Sequence, residues 1–357
     1  MRPKQPRLDT HQGGLSLIEL MIALLVGAIL IAGVLSIFIS SRQSYGINGA
    51  VGQIQENGRF ALDFIRTATR KAGYMGCATS TATASYLNPA PDPMPYDFTT
   101  AINGYYFTAA PPAPAENPAP DPAAGDWTPA LGSTLAGKVL PNTDVLVVRF
   151  TQDNPMYITN ITSSTATDMD VSGTNSLVPG DLMLISNCTS AIVMQTSAPT
   201  AGTVITHAAV SGPGDATTGV PQSYIGAQVV SPNTDAFYIG VGADGSPALF
   251  AATFVNGAFT YQELVPGVES MRVLYGEDLT GSQVPSQYVT ANNVANWNTV
   301  VSVRVALLLR SNIGAVPQPA AASPYTLLES TTVFTPPLDT RLRQVFLATI
   351  GIRNSLP

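Results

Sequence analysis

Between Leu15 and Ile39 the chain reads LSLIELMIALLVGAILIAGVLSIFI, twenty-five residues with Glu19 as the sole ionisable group. As a helix this run extends about 37 Å, against a bilayer hydrocarbon core of about 30 Å, so it is long enough to span a membrane. Arg2, Lys4 and Arg7 precede it, which keeps the N-terminus cytoplasmic and sends the remainder across. An ordinary secretory signal accounts for the basic start and an apolar stretch. It does not account for a run of this length, and no A-x-A-like cleavage site follows it. The expectation is an anchored chain: a leader over residues 1–14, a transmembrane helix over 15–39 and the rest outside the cytoplasm.

Glu19 needs a reason to be there. An ionised side chain in a membrane costs roughly 2.5–3.5 kcal/mol on insertion scales, less near an interface, so it usually has a partner and a role. Snorkelling at the helix entrance is one reading. Cleavage between Gly14 and Leu15 supplies another, because it creates an α-ammonium at Leu15, four residues before Glu19 and on the same helical face. That ammonium would pair with its own Glu19 or with the Glu19 of a neighbouring subunit. The second pairing sets the stagger of packed helices, since a slipped register buries an unpaired charge.

These residues carry a family resemblance. A short basic leader ending in glycine, then an apolar residue and Ser-Leu-Ile-Glu-Leu ahead of a long apolar run, resembles the class III signal of type IV pilins and pseudopilins. The resemblance implies that a prepilin peptidase cleaves after Gly14 and methylates the new N-terminus at Leu15, and that Glu19 guides assembly. Leu15 departs from the phenylalanine usual there. Ser36 stands where many major pilins carry a helix-kinking proline. Minor pilins and pseudopilins commonly show both departures.

Past the membrane the apolar pattern continues at helical spacing through Ile47, Val51, Ile54, Gly58, Ala61, Ile65, Ala68 and Ala72, which predicts an amphipathic extension over residues 40–76. Gly46, Gly49 and Gly52 weaken its first part, at roughly 1 kcal/mol each relative to alanine. Residues 88–130 hold eleven prolines. That density blocks helix and central-strand continuation, so an exposed, extended, polyproline-like insertion is expected. From Asp144 onward short runs such as DVLVVRF, DLMLIS, TDAFYIGV and VESMRVLYG, separated by Gly, Pro, Asn and Asp, read as strands. Val301 to Leu309 alternates as a half-buried strand, and RLRQVFLATIGIRN closes the sheet. The fold class is α+β and pilin-like: a long N-terminal helix, transmembrane in its first half, packed on a mostly antiparallel β domain over 77–357. Cys77 and Cys188 are the two cysteines. Outside the cytoplasm such a pair most often bonds, the alternative being two buried thiols.

Chemistry finds little support. Charged residues are 11% of the chain, against about 25% in average globular proteins. With a net charge of −7 and no basic stripe, nucleic acid is not an expected partner. Of the two histidines His11 belongs to the leader, leaving His207. A Ser211, Asp215 and His207 triad is no more than the ordinary composition of turns. GVGADG, residues 240–245, matches a dinucleotide fingerprint, but a strand follows where a helix is required, so it reads as a hairpin turn. EDLTGSQ, residues 277–283, offers oxygens like half a calcium loop without the closing acid. No catalytic residue, metal or cofactor is expected.

The length, the GCATS and SNCTS segments, LVPGVESMRVLYGED, VVSVRVALLLRS and the RLRQVFLATIGIRN ending together resemble the PilW family of minor pilins. The resemblance implies a protein that helps prime type IV pilus assembly at the bacterial inner membrane and is incorporated at or near the pilus tip, supporting twitching motility and adhesion. Its implied partners are the prepilin peptidase, other minor pilins, the major pilin and a large tip adhesin. Its implied path runs from a periplasmic domain on an inner-membrane anchor to the fibre at the cell surface. The alternative is a minor pseudopilin of a type II secretion pseudopilus; a membrane-anchored enzyme or binding protein is a more distant third.

Overall fold

The structure, a computed structural model, describes residues 14 and 16–355 apart from 89, 91, 153, 198–201, 208–214, 216–218, 256–257, 317–322 and 329–332. It opens with one unbroken helix, α1 (Leu17–Lys71). Gly46, Gly49 and Gly52 do not interrupt it. Arg70 and Lys71 complement the carbonyl end of the helix, and Ala72 caps it before Gly73 turns the chain at φ +76°. The predicted stripe is the buried face: Ile54, Gly58, Ala61, Ile65, Ala68 and Ala72 are buried, and Ile47 and Val51 are half-buried where the helix first meets the domain. Each fully buried Ile or Leu here contributes roughly 1.5–3 kcal/mol. Gly58 is required by packing, since a Cβ there would lie 2.5 Å from the Phe346 ring.

Two sheets receive this stripe. The first runs in the order β13 (Ala258–Pro266), β12 (Pro247–Val255), β11 (Pro232–Val241), β4 (Val145–Thr151), β2 (Ile102–Phe107) and β3 (Trp127–Thr128). The second runs β15 (Gln287–Val289), β14 (Val268–Glu277), β16 (Val300–Arg310) and β19 (Arg343–Gly351). Their pairings are antiparallel. One core joins both sheets to α1, with Ile65, Val148, Ile239, Val273 and Val305 among its members. Asp144 ties the sheets at their polar seam: it accepts N–H bonds from Phe107 and Val273 and pairs with Arg272 at 2.8 Å, all buried. GVGADG is the hairpin turn between β11 and β12, closed by Gly242 N–H to Ser246 O at 2.7 Å.

The expectation of an exposed insertion over 88–130 is overturned for most of that segment. Every residue of β4 is buried, so its sheet needs cover on both faces. Met94, Phe107, Trp127, Leu131 and Leu135 supply it as a second core on the side away from α1. The Trp127 indole donates to Thr143 O at 2.8 Å. The buried Arg149 guanidinium holds the entry of the segment, donating to Met94 O, Thr100 Oγ1 and Asn103 Oδ1. Only the middle fits the expectation: residues 111–117 are exposed and extended. Even there Arg310 donates to Glu116 O, and Arg341 pairs with the Glu116 carboxylate at 3.2 Å.

A third sheet, β1 (Thr83–Ser85), β8 (Ala191–Gln195), β7 (Leu182–Ser186), β10 (Gln228–Val230), β5 (Met156–Asn160), β6 (Asp168–Asn175) and β9 (Gly202–Thr206), carries its own core. The Cys77–Cys188 disulfide fastens the exit of α1 to the turn between β7 and β8. It closes a span of 111 residues, which in the chain-entropy account contributes about 4–5 kcal/mol.

Candidate functional site

The entrance of α1 is built from Ser16 and Glu19. Ser16 is the N-cap: its Oγ accepts the Glu19 N–H at 3.2 Å, and the Glu19 carboxylate accepts the Ser16 N–H at 3.1 Å. This reciprocal capping box satisfies two N–H groups that the first turn leaves orphaned, and it sets a carboxylate against the positive end of the helix dipole. The Ser-x-x-Glu spacing was legible in the sequence as a cap, a role neither sequence reading assigned to Glu19. Gly14 is exposed two residues upstream, while Leu15 lies outside the described residues. Cleavage after Gly14 would place an α-ammonium immediately before this capped turn.

Beyond the cap, α1 offers a surface with no partner among the described residues. Leu17, Leu24, Ile29, Val34 and Ile37 are each more than 60% exposed. Apolar residues surround this part of the helix on every side, which marks a segment meant for lipid or for other helices. The helix is long and apolar enough to cross a membrane, and none of its most apolar window is covered by the rest of the chain. Farther along, Phe60 and Phe64, four residues apart, stay about half exposed on the side turned away from the domain.

The remaining candidates are structural. His207 is buried, its N–H donates to Thr167 O, and burial lowers its pKa against a smaller opposing effect of Asp168. Burial pushes the Asp215 carboxyl up to about 7, although the Gln195 N–H donates to it. Among the described residues no hydrogen bond joins His207 to Asp215, and Ser211 lies outside them. The half calcium loop is also accounted for. The Asp278 carboxylate accepts the N–H groups of Thr280, Ser282 and Gln283. Burial alone would raise its pKa, but these bonds hold it below the ordinary carboxylate value. Among the described residues no group of three His, Cys, Asp or Glu side chains is placed to hold a metal.

Comparison with known proteins bears on both ends of the chain. Residues 9–35 match the model of the prokaryotic N-terminal methylation motif. Residues 236–354 match the family model of type IV pilus-assembly protein W, PilW. That region runs from β11 through β19 and includes β13, β16 and β19, against which α1 packs. Curated protein sequences gave no match. Among solved structures, a type IV-like pilin from Thermus thermophilus aligns over 50% of this chain and 86% of its own. Its identity is 17% and the TM-score 0.23, a likeness too slight to bear weight. The chain thus joins a match to the prokaryotic N-terminal methylation motif to a match with the PilW family model over residues 236–354, a third of its length, in a fold of one long apolar helix on a β domain rich in antiparallel pairs.

Proposed function

We propose that the protein is a minor pilin that helps prime type IV pilus assembly at the inner membrane and then occupies a place at or near the pilus tip, in support of twitching and adhesion. The observation that carries this reading is the division of α1. Its second half is folded into the domain, while residues 17–39 are apolar on all sides and find no partner among the described residues. Such a helix suits two successive environments, first lipid and then the helices of other subunits. In this reading residues 15–39 span the membrane with the leader in the cytoplasm and residues 77–357 in the periplasm. Prepilin peptidase cleaves at Gly14 and methylates Leu15, and Glu19 meets the ammonium of a neighbouring subunit. The partners are other minor pilins, the major pilin and a tip adhesin. The role is assembly, with no catalysis required. The PilW match over 236–354 favours a pilus over a secretion pseudopilus.

Processing tests this reading first. The mature protein should begin with an N-methylated leucine at residue 15 by mass spectrometry. Gly14→Arg should accumulate as uncleaved precursor and be absent from sheared fibres. A mature N-terminus beyond Ile39 would mean an ordinary signal peptide and defeat the proposal.

A further inference from the structure

We propose that the cleft between the exit of α1 and the loop after β14 binds a neutral saccharide. The cavity measures about 430 Å³, and segments far apart in sequence enclose it: residues 79–81, the 278–283 loop, residues 297–299 and Asn354. That volume lies within the ~300–1,000 Å³ of small-molecule sites.

Its lining selects a chemistry. Trp297 is half-buried and fixed by an edge-to-face contact with the buried Tyr275, ring centroids 4.8 Å apart. The indole offers an apolar platform beside hydrogen-bonding groups. The carboxamides of Gln283 and Asn298 also line the cavity. Each supplies both donors and acceptors, the mixture that hydroxyl groups require. Among the described residues no lysine or arginine lines the cleft. The ionised group among them, Asp278, already accepts three backbone N–H groups and the Thr280 hydroxyl. The cleft therefore repels anions and offers no open carboxylate to a cation. A pyranose ring has what remains: an apolar C–H face for the indole and hydroxyls for the carboxamides.

The backbone adds an independent sign. Gln283 has φ +63°, a left-handed conformation that glycine takes freely and glutamine takes at a cost. The Gln283 N–H to Asp278 bond holds it there. Strain of this kind gathers at ligand clamps, where a side chain is needed at a position that the backbone alone would give to glycine. The cleft lies on the folded domain, away from residues 14–53, so its failure would leave the assembly role untouched.

Intrinsic fluorescence of the full-length protein in a non-glycosidic zwitterionic detergent tests the site. The chain has two tryptophans, and Trp127 is buried at 1% exposure, so a ligand response reports Trp297. The probes are maltotriose, cellotriose and triacetylchitotriose, with sialyllactose and choline as charged comparisons. At least one neutral trisaccharide should shift the emission saturably, with a Kd on the order of 1 mM. Asn298→Ala and Gln283→Gly should each weaken it by roughly 2–10-fold, the loss of about one hydrogen bond. Gln283→Gly suits the left-handed backbone at this position, and an unchanged melting temperature in each variant separates loss of binding from loss of fold. No response to any neutral trisaccharide, a response to choline or sialyllactose alone, or unchanged affinity in both variants would overturn the assignment.

Discussion

Residues 17–53 and 54–71 form one continuous helix, yet they obey different rules. Leu17 and Ile37 are 79% and 73% exposed, whereas Ala61 and Ile65 are fully buried. In the first stretch apolar residues cover the whole circumference from Leu17 to Ile39, and a polar run from Ser40 to Ser44 follows before the helix meets the domain. In the second they keep to a stripe that meets both sheets, with Phe60 and Phe64 the large exceptions. Folding within the chain satisfies the stripe and can do nothing for the surround. An apolar surface of that extent in water is untenable for a solitary protein, so the first half must take its cover from lipid or other helices. Residue-level packing therefore divides the helix into a part folded onto the domain and a part left exposed, with the boundary near Ile47 and Val51.

Three substitutions sharpen this division, in decreasing order of effect. Cys188→Ser releases the exit of the folded half from the third sheet. Loss of the closed loop should lower stability by about 4–5 kcal/mol in denaturant melts. Gly58→Leu sets a side chain where the Phe346 ring lies. Overpacking of about 1–3 kcal/mol, less up to ~1 kcal/mol of improved helix propensity, should leave a net loss of ~1–2 kcal/mol. Gly33→Leu makes the same change in the first half, where nothing lies within 4 Å of the added Cβ. In the same melts it should stay within about 0.5 kcal/mol of wild type. If Gly33→Leu destabilised the domain as much as Gly58→Leu, the two halves would not be separate.

Much of this was legible in the sequence, and the exceptions have physical causes. The stripe from Ile47 to Ala72 was readable because every third or fourth residue is apolar or glycine. Strands such as TDAFYIGV and VESMRVLYG were readable because β-branched and aromatic residues dominate them. Strand β2 hid in the proline-rich stretch because INGYYF is interrupted by Asn103 and Gly104, and proline-dense neighbours outweighed it. A Cβ on Gly104 would fall 1.8 Å from the Tyr275 hydroxyl, so packing explains that glycine where local preference does not. β6, DMDVSGTN, is too polar to announce itself. The missing clue for the insertion was in β4: VLVV buries both faces, and something in the chain had to cover the second. At the helix entrance the signal was explicit. Ser16 and Glu19 have the spacing of a capping box, so the nearest partner of the carboxylate is the backbone N–H three residues before it.

Assembly across subunits, in addition to capping its own helix, is the role proposed for Glu19, and Glu19→Ala separates the two. Glu19→Ala removes one arm of the capping box and leaves the Ser16 cap in place, a cost of up to about 1 kcal/mol at the first turn, while removal of a charge eases insertion into lipid. In a deletion strain, Glu19→Ala should therefore match wild type in membrane abundance and in cleavage after Gly14. Its amount in sheared fibres, by quantitative mass spectrometry, should fall sharply, with Glu19→Asp between the two. Wild-type incorporation of Glu19→Ala into fibres would contradict the claim and leave the capping box as the carboxylate's whole role.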